Sequence, residues 1–283
     1  MTFVIPVFNE EGGVAGVLDR LLAIDLGVPV EVLVVDDGST DTTMVALAKA
    51  EAGNQRLRVV KHRFNLGYGA ALKTGISRAT HDVIVICDAD GTYPEDRIVD
   101  LIACIDDGAE MAIGARTGPN VYIPLVRRPA KAILRWLASF LAGAPIPDLN
   151  SGLRVFRREA ALERFHLISD GFSFTTTITL ALLARSRPVL FLPVDYMRRT
   201  GSSKIRPVAD TFNFLVLILR VSVYFEPLKV FLPAAGLLAL SGVAYGVVQV
   251  VAGNLGEAPV LLCVSALQIL LVGLIADMIS RRH

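Results

Sequence analysis

The chain has 283 residues, and its 53% hydrophobic content and mean hydropathy of +0.55 exclude an ordinary soluble enzyme with a single apolar core. Its formal net charge of +1 argues against a nucleic-acid-binding protein. Its three cysteines, Cys87, Cys104 and Cys263, lack metal-ligand spacing, and we expect them to be small core residues in a reducing compartment.

The first part of the chain alternates strand and helix patterns. Runs rich in β-branched residues predict strands at residues 2–7, 30–35, 57–61 and 83–87. This alternation predicts a mainly parallel, doubly wound, Rossmann-like α/β sheet with right-handed crossovers. The carboxyl ends of parallel strands share one edge of the sheet, which here collects Asn9 and Glu10, Asp36 and Asp37, and Asp88 and Asp90.

Asp88 and Asp90 stand two residues apart at the end of the fourth strand, followed by Gly91 and a helix start at Pro94. Ligands bind at this edge of open α/β sheets, and paired carboxylates suit a hard divalent cation that bridges phosphates. A polar turn is the alternative for Asp-Ala-Asp-Gly taken alone. A dinucleotide-binding loop is disfavoured, because the Gly67-x-Gly69 pair continues to Leu72 where the fingerprint needs glycine.

The middle of the chain is basic and amphipathic. Arg116 ends a further strand and is expected at the same edge. Residues 121–141 place basic side chains near one face of a helix, which is typical of a helix at an anionic membrane surface, although a solvated face of a core helix is the alternative. Residues 148–157 predict a turn into an edge strand, with Arg154 and Arg157 alternating with apolar neighbours.

The last part of the chain carries two uncharged stretches, 230–256 and 258–276, each long enough for a membrane-spanning helix of about 20 residues. A buried hairpin in a soluble core is the alternative. Basic residues flank the pair, whereas the 252–257 connection has none, so an integral membrane protein with both termini cytoplasmic is expected. The first strand begins almost at Met1, so no signal peptide is expected.

Four segments occur in a specific order: VIPVFNEE from residue 4, VVDDGSTD from 34, NLGYGAAL from 65 and DADGTYPE from 88. Together they resemble glycosyltransferase family 2, and within it the dolichyl- or polyprenyl-phosphate mannose or glucose synthases. The resemblance covers roughly residues 2–206 and implies inverting enzymes with the A-type glycosyltransferase fold. The expected division is a catalytic domain at 1–206, a juxtamembrane amphipathic helix at 207–229, and transmembrane helices at 230–251 and 258–280.

The resemblance also assigns roles on the donor side. It implies that the nucleoside of a nucleotide-sugar donor is framed by Pro6, Phe8, Glu10 and Asp37. Asp88 and Asp90 are implied to hold Mg²⁺ or Mn²⁺ on the donor diphosphate. Thr92 falls where some family members have a Gln that contributes to the metal site, so it is a candidate ligand.

On the acceptor side, the resemblance implies a polyprenyl-phosphate lipid. Arg127 matches an arginine that binds the lipid phosphate, and Lys131 stands where a serine is expected but can still bind phosphate as a point charge. Asp148 and Ser151 are implied to face the site. A flexible basic loop that closes on the donor and lipid phosphates is implied to contribute Arg199, Ser203 and Lys204.

A lipid phosphate is already an anion, so attack at the anomeric carbon requires placement and charge rather than a strong general base. Accordingly, no histidine is assigned a catalytic role, and surface positions are expected for His62, His81, His166 and His283.

The predicted function is therefore inverting, metal-dependent transfer of a hexose from a GDP- or UDP-linked donor to polyprenyl phosphate. A processive polysaccharide synthase is disfavoured, because the only Arg-Trp pair, Arg135-Trp136, precedes the acceptor acid and has Ala132 in place of the expected Gln. Two alternatives stay open: a transferase to a hydroxyl acceptor, which would need Asp148 as a base, and a non-catalytic nucleotide-sugar-binding partner. The two spans leave room for a homo-oligomer.

Overall fold

The computed structural model describes residues 1–119, 128–171, 173–197, 207–253 and 256–280, with all of their side chains except those of 128–131 and 207–214. Within these ranges, one sheet contains the strands β1 (Thr2–Val7), β2 (Glu31–Asp36), β3 (Leu57–Lys61), β4 (Val83–Ile86), β5 (Met111–Ala115), β6 (Arg154–Arg157) and β7 (Val189–Pro193).

The helices that cover the sheet are α1 (Val14–Ala23), α2 (Thr43–Gly53), α3 (Tyr68–Arg78), α4 (Ile98–Asp106), α6 (Arg158–Leu162) and α7 (Phe174–Leu183). The helices α5 (Arg128–Ala142) and α8 (Pro207–Phe225) pack on each other and on α7. Two longer helices follow, α9 (Pro227–Val251) and α10 (Ala258–Ser280).

The strand order is β3-β2-β1-β4-β6-β5-β7, and only β6 runs antiparallel to its neighbours within the described sheet. The predicted mainly parallel α/β sheet is therefore confirmed. The prediction of an edge strand at Arg154 is wrong: β6 lies between β4 and β5, and Arg154 is fully buried. An arginine in an apolar run suggested an exposed edge, but this one finds its hydrogen-bond partners inside the protein.

The core has one layer on each face of the sheet. Phe3 and Ile5 of β1 belong to the cluster covered by α1, α2 and α4, whereas Val4 belongs to the cluster covered by α3, α6 and α7. Neighbouring residues of a strand point to opposite faces, so a central strand covered on both sides is apolar along its length. The polar residues of the central strands are therefore confined to the strand ends.

The helices α9 and α10 form an antiparallel hairpin. Gly242 and Gly273 allow it to close, since a Cβ at these positions would press on Cys263 and Phe231. Only 11% and 17% of the most apolar windows of the two helices are buried, which does not fit the alternative of a hairpin inside a soluble core. At 25 and 23 residues, each helix is roughly 35 Å long and so long enough to cross a bilayer.

Both ends of the hairpin are fastened to the sheet domain. Lys229 Nζ in the first turn of α9 donates to the Leu141 carbonyl at the end of α5, at 3.2 Å. Ser280 Oγ at the end of α10 donates to the Tyr224 carbonyl in α8, at 2.7 Å. The base of the hairpin therefore lies against α5 and α8, and its connection lies at the far end.

Candidate active site

The polar residues predicted at the carboxyl edge of the sheet lie side by side there. The parallel register of β1 pairs Val7 with Asp36 in β2 and Val4 with Ile86 in β4, so the loops after these three strands are neighbours. Arg116 follows β5. The edge thus joins two groups of candidate residues, which we name by their predicted roles: a donor side on β1 and β2 and an acceptor side on β5 and β6.

Asp88 and Asp90 occupy the centre of this edge. Tyr68 donates its hydroxyl to Asp88 Oδ1 at 3.0 Å, and Thr92 donates its hydroxyl to Asp90 Oδ1 at 2.7 Å. Burial, followed by the Asp88 charge, raises the pKa of Tyr68 well above its ordinary value, so this hydroxyl remains protonated and remains a donor. Between the two acids and Thr92, Gly91 adopts a left-handed conformation with φ of +67°, which favours glycine.

Gly152 brings the acceptor-side chain directly against the acidic pair. A Cβ atom at this position would overlap the Asp88 carboxylate, so a larger residue would displace that side chain. The Gly152 amide donates to the Tyr93 hydroxyl at 2.7 Å, which anchors the close approach. The segment before β6 and the loop after β4 therefore hold each other in place.

The donor set fits a divalent cation that is shared with a substrate. Two carboxylates two residues apart would supply hard oxygen ligands, and a bound substrate phosphate and water would supply the remainder. Among the residues that the structure describes, no group of three or more His, Cys, Asp or Glu forms a closed metal site. Thr92 is 1% exposed and its hydroxyl orients Asp90, so its assignment as a metal ligand stays a prediction.

Asp37, assigned by resemblance to the nucleoside, is buried and holds the loop before α3. Its Oδ1 accepts from the Leu66 amide at 2.9 Å and pairs with His62 Nδ1 at 2.7 Å, while its Oδ2 accepts from the Gly67 amide at 2.8 Å. His62 Nε2 also contacts Thr74 Oγ1 at 2.9 Å. The expectation that His62 lies at the surface is wrong, because these two partners hold it inside.

Two loops on the donor side are tied together. Asn9 has a φ of +52°, its Oδ1 accepts from the Thr40 amide at 2.8 Å, and the Glu10 amide donates to Thr43 Oγ1 at 3.0 Å. Pro6 is buried in β1, and Phe8 is half-buried directly after it. The candidate donor residues are therefore brought together on two loops that are fixed by their own hydrogen bonds.

The acceptor side is built on a buried ion pair. Arg116 Nε lies 2.6 Å from Asp148 Oδ2 and its Nη2 lies 2.9 Å from Oδ1, while Asp148 is only 1% exposed. Burial alone would lower the pKa of Arg116, but Tyr93 and Asp148 outweigh it and raise that pKa, so the guanidinium stays charged. Ser151 lies behind this pair, fully buried, and donates to the Gly114 carbonyl at 2.5 Å.

Arg154 supports the same segment from below. Its guanidinium donates to the carbonyls of Leu149 at 2.9 Å and Ser151 at 2.7 Å and to Thr179 Oγ1 at 2.6 Å. Burial lowers its pKa to about 10, which leaves it protonated at neutral pH. A buried cation thus fixes the chain from Leu149 to Gly152 against the acidic pair.

Comparison with known families agrees with this geometry. Residues 2–165 match the family model described as glycosyl transferase family 2, and residues 226–281 match the GtrB C-terminal hairpin. The chain belongs to glycosyltransferase family 2. It is 31% identical over 214 residues to polyprenol monophosphomannose synthase of Mycolicibacterium smegmatis, covering 71% of this chain and 79% of that protein. It is 30% identical to dolichyl-phosphate hexose transferase of Haloferax volcanii, covering 74% and 88%.

A solved structure shares the fold of this glycosyltransferase. Glucosyl-3-phosphoglycerate synthase from Mycobacterium tuberculosis, in complex with Mn²⁺, uridine diphosphate and phosphoglyceric acid, superimposes with a TM-score of 0.60 at 19% identity. The superposition covers 78% of each chain. At this identity the likeness establishes the fold alone, and it confirms the predicted A-type glycosyltransferase architecture.

Four side chains that shape the site of this glycosyltransferase had no predicted role in it: His62, Tyr68, Tyr93 and Arg154. Tyr68 and Tyr93 lie inside two of the motif segments, and this position could have identified them as site residues. For His62 the sequence offered none, since its partner Asp37 lies 25 residues away. Two acceptors of Arg154 are nearby backbone carbonyls, which have no signature in a sequence, and the third, Thr179, lies 25 residues away.

Several predicted phosphate-binding residues lie outside the described residues, namely Arg127, Arg199, Ser203 and Lys204. Lys131 belongs to α5, but its side chain is among those not described. Their roles stay predictions.

Proposed function

We propose that this glycosyltransferase transfers a hexose, mannose or glucose, from a GDP- or UDP-linked donor to a polyprenyl or dolichyl phosphate. The names of the relatives, a polyprenol monophosphomannose synthase and a dolichyl-phosphate hexose transferase, support this acceptor class. The observation that carries the proposal is the juxtaposition of the Asp88 and Asp90 pair with the Arg116–Asp148 pair in a domain fastened to an apolar hairpin.

On the donor side, Asp88 and Asp90 would hold Mg²⁺ or Mn²⁺ on the donor diphosphate. The cation would supply positive charge that stabilises the departing nucleoside diphosphate. A structural neighbour crystallised with Mn²⁺ and uridine diphosphate supports a metal, without deciding which. The loops that carry Pro6, Phe8, Glu10 and Asp37 would frame the nucleoside, with Asp37 acting through the loop it holds.

On the acceptor side, the engagement of Asp148 favours a phosphate over a hydroxyl acceptor. Arg116 binds both carboxylate oxygens, and the Asn150 amide adds a further hydrogen bond to Oδ1 at 3.2 Å. A carboxylate held this way is a weak base, and a hydroxyl acceptor would need a stronger one. An acceptor that is already an anion needs only to be placed, and Arg116 offers the charge to place it.

The transfer step itself needs only the correct positioning of the donor and the acceptor. Direct attack of the lipid phosphate on the anomeric carbon, opposite the departing diphosphate, inverts the configuration of the sugar. We assign binding of the two phosphates to Arg127 and Lys131 and to the basic segment with Arg199, Ser203 and Lys204, as the family resemblance implies. The hairpin would span the bilayer with both chain termini and the catalytic domain on the cytoplasmic side, as the distribution of basic residues favours.

The test is a transfer assay with the full chain purified in detergent. Radiolabelled GDP- and UDP-sugars are incubated with polyprenyl phosphate, with EDTA, and with EDTA followed by excess Mg²⁺ or Mn²⁺. We expect label in the organic phase with one class of donor, its loss with EDTA, and its return with the metal. Polyprenol without phosphate is the matched control acceptor.

Three results would overturn the proposal. Equal transfer to polyprenol would show that a hydroxyl is the acceptor and that Asp148 must be reconsidered as a base. Transfer that is indifferent to EDTA would remove the metal role of Asp88 and Asp90. If no donor yields label while nucleotide sugars still bind, the chain is a non-catalytic binding partner.

A further inference from the structure

Helix α5 has an apolar face that the catalytic domain does not cover. Ile133 is 62% exposed, Trp136 66% and Phe140 51%, and their spacing places them on one side of the helix. The Trp136 and Phe140 rings stack with centroids 5.9 Å apart. The other side of α5 is equally apolar but packed, through Leu134, Leu137, Ala138 and Leu141, against α8.

The position of this face is fixed by the hairpin. The Leu141 carbonyl, one residue beyond Phe140, accepts the hydrogen bond from Lys229 Nζ in the first turn of α9. Trp136 lies about 6 Å further back along α5. The exposed aromatic face therefore begins at the level where the first long apolar helix leaves the domain.

The chemistry of the face matches the boundary between lipid headgroups and acyl chains. Tryptophan is enriched at membrane interfaces because its ring is apolar and its indole N–H is a donor. Arg135 is exposed beside Trp136, where it can meet anionic headgroups. An apolar face flanked by basic residues is the composition of helices that lie in a membrane surface.

We infer that the face of Ile133, Trp136 and Phe140 inserts into the leaflet that α9 enters, about 5–10 Å into the headgroup and acyl boundary. This rests on the membrane-embedded hairpin of the proposed function and adds a third membrane contact, made by the catalytic domain itself. A small cavity lined by Leu134, Asp148 and Ile218 lies behind α5. Insertion would hold the acceptor side of the site close to the lipid surface.

Trp136 is the only tryptophan in the chain, so the tryptophan fluorescence of the native protein, excited selectively over that of tyrosine, reports on this face alone. The full chain is reconstituted in vesicles of phosphatidylcholine and phosphatidylglycerol, with and without bromine atoms on the upper part of the acyl chains. We expect blue-shifted emission that brominated lipid quenches and that aqueous iodide does not reach. Bromine placed near the bilayer centre is expected to quench less.

A matched control variant places the only tryptophan on a different helix. The double variant Trp136→Phe, Val45→Trp places the only tryptophan on α2, where Val45 is 72% exposed and which packs on β3 at the other edge of the sheet. Its emission should be quenched by iodide and not by brominated lipid.

The outcomes separate this inference from the proposed function. If the chain resists alkaline extraction from the vesicles but Trp136 is quenched by iodide alone, the hairpin is embedded and the α5 inference is wrong. Protection from both quenchers would place another protein surface, such as a second copy of the chain, on the face and would also overturn it. If alkali extracts the chain from the vesicles, the hairpin is not embedded in the membrane, and that part of the proposed function is wrong.

Discussion

The amino and carboxyl ends of the strands form two edges of the sheet, and the carboxylates at these edges differ in their surroundings. At the amino edge, Glu31 accepts hydrogen bonds from Thr2 Oγ1 at 2.8 Å, from Thr80 Oγ1 at 2.8 Å and from the Thr80 amide at 3.0 Å. Arg58 Nη1 lies 2.7 Å from its other oxygen. This network joins β1, β2 and β3 to the end of α3, and it carries its own counter-ion.

The carboxyl edge is organised differently. Asp88 and Asp90 receive neutral hydroxyl groups from Tyr68 and Thr92, which orient the carboxylates without cancelling their charge. Two arginines on the acceptor side bind other groups: Arg116 pairs with Asp148, and Arg154 holds the chain that ends at Gly152. The two edges thus differ in the donors that orient their carboxylates: neutral hydroxyl groups act on Asp88 and Asp90, whereas Glu31 also accepts from the charged Arg58.

The largest expected effect comes from removing charge at the carboxyl edge. Asp88→Asn or Asp90→Asn should lower the transfer rate about 10²- to 10³-fold, since the group that balances charge in the transition state is lost. The thermal unfolding midpoint in detergent should stay close to wild type. The control is Asp96→Asn, an exposed carboxylate just beyond the motif, which should change neither quantity. Near-normal transfer by Asp90→Asn would remove the distinction between the two edges.

Whether the sequence predicts a feature of the fold or the site depends on where the interacting residues lie in the chain. The parallel sheet and the three acidic strand ends follow from the hydrophobic pattern, because β1, β2 and β4 are buried on both faces and helices separate the first four strands. The antiparallel insertion of β6 does not, since its neighbours β4 and β5 are chosen by long-range packing. The burial of His62 was missed for the same reason, because Asp37 lies 25 residues away. The burial of Arg154 was missed because two of its acceptors are backbone carbonyls, which every sequence contains, and the third is the distant Thr179.

The second largest effect is expected in stability. Arg154→Met should lower the free energy of unfolding by about 3 kcal/mol, because the Leu149 and Ser151 carbonyls would stay buried without their donor. Arg154→Lys should recover part of the loss. Arg157→Met, an exposed arginine in the same strand, is the matched control. Equal unfolding curves for Arg154→Met and Arg157→Met would show that the buried cation does not support the segment.

The amino edge should respond in stability and not in rate. Glu31→Gln removes a charged acceptor and should lower the free energy of unfolding by about 1.5–3 kcal/mol, with transfer at neutral pH unchanged. Burial raises the pKa of Glu31, but the hydrogen bonds from Thr80 and Thr2 and the charge of Arg58 outweigh it, so the net pKa is lowered from 4.5.

The sign of that shift sets the pH dependence. A carboxylate with a lowered pKa in the folded state stabilises the protein above its unfolded pKa, and the contribution is lost as the pH falls through the folded value. The difference in unfolding free energy between wild type and Glu31→Gln should therefore be constant at neutral pH and shrink below about 4.5. A difference that grows with acidification would contradict the network.

The smallest effects test the comparison by removing one neutral hydroxyl from each edge. Tyr68→Phe leaves Asp88 charged but less well oriented, which should lower the transfer rate about fivefold, or about 1 kcal/mol, with little change in unfolding. Thr2→Val removes the corresponding hydroxyl from Glu31 and should lower stability by a similar amount without changing the rate. Transfer rate constants and unfolding midpoints, measured on both variants, distinguish an effect on catalysis from an effect on stability. A loss of rate alone in Thr2→Val would show that the amino edge also affects transfer. If Tyr68→Phe lost only stability, the hydroxyl on Asp88 would be part of the scaffold, and the acidic pair would owe its orientation to Gly152 and the chain held by Arg154.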